Sequence, residues 1–143
     1  MNNLDKPRSG NKAKRDKDSI LADTKNLIRI LTPAIQRMPK IERIEGCAVE
    51  MKKAAYQICA SFSIAKECPE VRLVEIHNIF GCFGRFLAAF DIAVHTGLLT
   101  DSDQLRIAEQ LERIEEGVRK WRNATRKISG AAEGPRESAV SMN

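Results

Sequence analysis

Aromatic rings are scarce in this chain: five Phe, one Tyr and one Trp among 143 residues. Turn formers are scarce too, with eight Gly and five Pro. A β-sandwich with many tight turns would ask for more of both, so that class is disfavoured. The four cysteines, Cys47, Cys59, Cys68 and Cys82, are 12, 9 and 14 residues apart, and no CxxC pair exists. Neither His77 nor His95 stands at a metal-ligand spacing from any of them, so no zinc site and no cofactor are expected. Such cysteines in a reducing compartment act as small buried hydrophobes. Long uncharged apolar runs are also missing. The most apolar stretch, residues 75–100, is broken by Arg85 and Asp91. Its uncharged run falls short of the roughly 20 residues that cross a bilayer. The opening MNNLDKPRSGNKAKRDKD holds no apolar segment and so no signal-peptide pattern, which leads to the expectation of a cytoplasmic protein.

What is present is helical periodicity. In the 75–100 stretch, Ile76, Phe80, Phe83, Leu87, Phe90 and Val94 recur in steps of four and three, with Ile79, Phe86 and Ala93 beside them. An apolar surface this wide predicts a helix central to a bundle or covered by another subunit. A first helix is expected from Ser19, capped by Asp18, through Ile20, Thr24, Leu27, Leu31, Ile35 and Met38, kinked or short of a hydrogen bond at Pro33. A second is expected over residues 41–66 with Gly46 as a weak point near its start. The third runs from Pro69 to about His95, with Gly97 as its stop. Within it Gly81 and Gly84 predict a close helix–helix approach rather than a phosphate loop, which would need a strand-to-helix turn. The fourth begins near Thr100 and buries Ile107, Leu111, Ile114, Val118, Trp121 and Thr125. The expected fold is all-α, an antiparallel up-down-up-down four-helix bundle over residues 19–128. A disordered basic arm (1–18) and a flexible tail (129–143) flank it.

The net charge of +5 is placed unevenly. Residues 1–18 carry six basic and three acidic side chains, whereas residues 19–125 carry 15 and 14. No Ser-His-Asp, Cys-His or Glu-x-x-His arrangement can be assembled from the sequence, so an enzyme is not expected. Binding remains. Three basic groups are candidates for nucleic-acid phosphate: Lys12, Lys14 and Arg15 in the arm; Arg37, Lys40 and Arg43 at the first turn; Arg119, Lys120, Arg122, Arg126 and Lys127 around Trp121. Helix parity brings the arm and the last group to one end of the bundle and the Arg37–Arg43 group to the other. Part of the basic run at the end of the fourth helix also complements the helix dipole.

Three short motifs carry a resemblance. Met38-Pro39-Lys40-Ile41-Glu42-Arg43 matches an apolar-Pro-Lys-x-x-Arg turn, His95-Thr96-Gly97-Leu98-Leu99-Thr100 resembles a Leu-Gly-Leu-Leu-Ser/Thr link, and Gly117 to Trp121 a Gly-x-x-x-Trp close. In this order they resemble the four-helix-bundle accessory variability proteins of diversity-generating retroelements, related to proteins encoded in intervening sequences of 23S ribosomal RNA genes. The resemblance covers about residues 20–127. It implies a homopentameric barrel without catalytic activity that binds a reverse transcriptase and RNA or DNA during mutagenic complementary-DNA synthesis. It also implies that Ile79, Phe83, Phe86 and Phe90 are covered by a neighbouring copy. The alternative it leaves open is a protein-interaction bundle of the intervening-sequence type with no polymerase partner.

Overall fold

A computed structural model describes residues 12–140, with side chains from residue 19 to residue 130. Every regular element in it is a helix: α1 (Lys12–Gln36), α2 (Lys40–Ile44), α3 (Cys47–Glu67), α4 (Arg72–His95) and α5 (Asp101–Val140), with a single 3-10 turn at Pro69–Val71. The all-helical bundle expected from periodicity is present, built on four long helices and the short α2. Helix α1 starts seven residues ahead of Ser19, and α5 continues beyond residue 129. The part of the expected basic arm before Lys12 lies outside the described residues.

Pro33 sits on an exposed turn of α1, and the helix runs through it to Gln36. The carbonyl that loses its donor there belongs to exposed Arg29, on the solvent side, so the helix continues without a break. The expected second helix is divided. Gly46 adopts an extended conformation (φ −94°, ψ −160°) and becomes the N-terminal cap of α3, leaving α2 as a separate turn and a half. Between α4 and α5 the chain turns sharply. Gly97 has φ +71°, Leu98 N–H donates to Ala93 O (3.0 Å), and Gly97 N–H donates to Val94 O (3.1 Å). This is a Schellman stop, which needs a residue free to enter the left-handed region. Three residues later Thr100 Oγ1 accepts from Asp103 N–H (3.1 Å) and starts α5.

Helix α3 packs chiefly on α4, and α1 on α5. Helices α1 and α5 run in opposite directions. Ile20 lies against Gly117, Asn26 Nδ2 donates to Gln110 Oε1 (3.0 Å), and Arg37 pairs with Asp103. Gln110 also donates through Nε2 to Asp23 O (2.9 Å) and Oδ1 (3.2 Å), so a buried amide fixes the register of the two helices. A Cβ on Gly117 would stand 2.9 Å from Ile20 Cγ1, and this close approach is what the glycine permits.

The core is formed by Leu27, Leu31, Met51, Ile58, Phe62, Ile76, Phe86, Ile107, Ile114 and Val118 among others. Each contributes about 1.5–3 kcal/mol relative to an exposed side chain. On α4 the buried line is Ile76, Ile79, Cys82, Phe83, Phe86, Ala89 and Ala93. The secondary stripe of the sequence is therefore the centre of the core, while Leu87, placed on the main stripe, is 46% exposed. This corrects the expected subunit interface. Ile79, Phe83 and Phe86 are covered by their own chain, and Phe90 is half-buried against the same core. The outward face of α4 instead carries Val74, Gly81, Gly84, Leu87 and Ile92. Among the described residues nothing stands within 4 Å of a Cβ built on Gly81 or Gly84, so no described helix approaches them closely. By length and composition the stretch Pro69–His95 could also cross a bilayer, with a third of its apolar window buried here.

Candidate nucleic-acid interface

Trp121 fixes where the basic end of α5 sits. Its ring lies 5.3 Å from that of Phe62 on α3, and the Arg72 guanidinium at the start of α4 lies 5.9 Å from its centroid. The Trp121 turn of α5 therefore stands beside the α3–α4 connection. Arg72 is occupied with structure: its Nε donates to Ala65 O (2.7 Å) and its Nη2 to Lys66 O (3.1 Å). Those are carbonyls that the end of α3 leaves unpaired, so Arg72 acts as a side-chain cap.

The five basic residues of this end separate into two kinds. Arg119 donates to Glu115 (2.6 Å) and Lys120 approaches Glu116 (3.3 Å), both one helical turn back. These exposed pairs stabilise little, but they neutralise both cations. Arg122, Arg126 and Lys127 have no carboxylate partner among the described residues. Arg122 lies over the Phe80 ring of α4, 4.5 Å from its centroid, and its Nε is buried without a hydrogen-bond partner. Stacking holds the guanidinium in place while leaving donors unused.

Arg122 and Arg126 share a shallow pocket of about 310 Å³ with Leu73, Val74, His77 and Asn78 of α4. Among the described residues no carboxylate lines it. The nearest one along α4, Glu75, accepts from Asn78 Nδ2 at 3.4 Å. Two other grooves are electrically mixed: that between α1 and α5 includes Asp23 and Glu116, and that between α3 and α4 includes Glu50. A third, beside α1 and α3, carries Arg43 and Lys52 and no carboxylate among the described residues.

At the other end, Arg37 is drawn into a pair with Asp103, whose side chain is only 9% exposed. Arg37 therefore ties the end of α1 to the start of α5, while its own side chain stays 55% exposed. Lys40 and Arg43 remain on the surface of α2. The side chains of Lys12, Lys14 and Arg15 lie outside the described residues. Basic side chains thus stand at both ends of the bundle: Arg122 and Arg126 in one pocket with Lys127 beyond it, and Arg43 with Lys52 in another, near exposed Lys40.

Burial raises the pKa of the Cys47, Cys59 and Cys82 thiols. At Cys47 the Glu42 carboxylate adds to the effect, and the thiol donates to it at 3.6 Å. Lys25 opposes burial at Cys59, as Arg85 does at Cys82. Among the described residues no group of three or more His, Cys, Asp or Glu could hold a metal ion. Compared with known proteins, the chain matches no family model and no curated protein.

The sequence pointed to the basic run but not to its division, although the spacing of four between Glu115 and Arg119 signals the pairing. It missed Phe80, His77 and Asn78 as neighbours of Arg122. They lie more than forty positions away, and no local pattern joins them.

Proposed function

We propose that the protein is a non-catalytic accessory subunit that binds single-stranded nucleic acid through the Arg122 to Lys127 stretch of α5 and hands it to a reverse transcriptase, as in a diversity-generating retroelement. The observation that carries this reading is the group of Arg122, Arg126 and Lys127, cations without carboxylate partners among the described residues, beside a pocket that no described carboxylate lines. The order of the Pro-Lys turn, the Gly-Leu-Leu-Thr link and the Gly-x-x-x-Trp close supplies the retroelement context. In the same reading the bundle is up-down-up-down and assembles as a homopentamer. The outward face of α4, with Gly81, Gly84, Leu87 and Ile92, then meets the neighbouring copy.

The test is binding of a fluorescent single-stranded RNA across a salt series. Replacing Arg122, Arg126 and Lys127 by Gln should weaken binding and flatten the slope of log affinity against log salt by about 0.7 for each phosphate no longer neutralised. The double variant Arg119→Gln, Lys120→Gln should change the slope far less, because those charges are already paired. Equal weakening in both variants would overturn the assignment.

A further inference from the structure

We infer that the pocket between α4 and α5 is a seat for one nucleotide of a single strand, and not simply a patch of positive potential. Three observations carry this. The pocket's volume of about 310 Å³ reaches the lower end of the roughly 300–1,000 Å³ typical of small-ligand sites. Its lining is divided by chemistry: Leu73 and Val74 are apolar, His77 and Asn78 offer hydrogen-bond donors and acceptors, and Arg122 and Arg126 are cationic. Val74 is 61% exposed, an apolar surface that nothing described in the chain covers.

A nucleotide has the same three parts. Its phosphate meets Arg122 and Arg126, where it finds charge-assisted donors and no competing carboxylate among the described lining residues. Its base lies over Leu73 and Val74, a sequence-tolerant apolar surface. The polar edge of that base reaches His77 and Asn78. Arg122 is already ordered by Phe80, so little side-chain freedom is given up when the anion arrives. A duplex keeps its bases stacked inside and cannot fill the apolar part, so the site selects single strands.

This inference rests on the nucleic-acid reading above, and the experiment separates the two. The full chain, isotopically labelled, is titrated with uridine 5′-monophosphate, adenosine 5′-monophosphate and inorganic phosphate, following backbone and side-chain resonances. Binding of a ten-nucleotide RNA, as a single strand and as a duplex, is measured in parallel. The expected result is saturable shifts at His77, Asn78 and Arg126 with both nucleotides, at concentrations well below those at which phosphate alone acts. Arg126→Gln should weaken RNA binding by about tenfold, the effect of removing one charge-assisted hydrogen bond. Asn78→Ala should weaken it several-fold, and both exposed sites leave the core untouched. Arg122→Gln, which also removes the stacking on Phe80, is read only beside these two. Phosphate matching the nucleotides, or duplex matching single strand, would overturn the seat for a base. RNA binding that survives Arg126→Gln and Asn78→Ala unchanged would overturn the pocket while leaving the nucleic-acid reading standing. No RNA binding by the unaltered chain would remove both.

Discussion

Cys68 is exposed in the α3–α4 connection, Cys47 and Cys82 are buried, and Cys59 is half-buried. Burial also raises the pKa of Cys47, Cys59 and Cys82, which leaves little thiolate at neutral pH. A disulfide reagent at a pH of about 7.5 is therefore expected to modify Cys68 quickly and the other three only after denaturant is added. A second fast thiol would contradict the burial. The sign of the pH effect follows. The raised folded-state values favour the folded chain below the ordinary value of 9.0 and cease to do so as pH climbs above it, so alkaline solution should erode stability. At this same scale Arg37 has a partner that spacing does not show. In sequence it reads as part of a basic cluster, and only the fold brings Asp103 to it from 66 positions away.

At the scale of elements, the glycines divide by what they face. Gly84→Ala should raise stability by about 1 kcal/mol in a dilute sample, because Ala favours a helix interior and its methyl meets open space. Gly117→Ala gains the same propensity but presses on buried Ile20, so a net destabilisation of about 1 kcal/mol is expected from overpacking. Urea unfolding of the two variants checks both signs. The stops and starts were readable in sequence: Gly97, Thr100 and Pro69 mark their boundaries through local backbone chemistry. The face of α4 was not. Its apolar residues run nearly all round, so spacing alone could not tell Phe86, which is core, from Leu87, which is exposed. Nor could it reveal that α2 would separate at Gly46, since a lone glycine is tolerated in many helices. The pocket was hidden for another reason: it is assembled from two helices, whose register shows only in contacts such as Arg122–Phe80 and Arg72–Trp121.

For the whole molecule, the matter left by the fold is its outer apolar surface. Exposed Leu87 and Ile92 stand on the glycine-bearing side of α4. If copies meet there, Leu87→Glu with Ile92→Glu should lower the mass found by light scattering to that of one chain, 16.0 kDa. Thermal unfolding of the single chain should move little, because both residues are outside the core. Assembly that persists in the double variant would place the interface elsewhere.

The first and last long helices lie side by side and point opposite ways, with Ile20 against Gly117. Traction applied to the start of α1 and to the far part of α5 therefore acts on one end of the bundle. The load falls on a single layer of side chains at a time, peeling the pair apart like a zip. Had the same helices been parallel, every layer would have shared the strain at once. A machine that pulls on both ends of this chain would find it mechanically soft, whatever its resistance to heat.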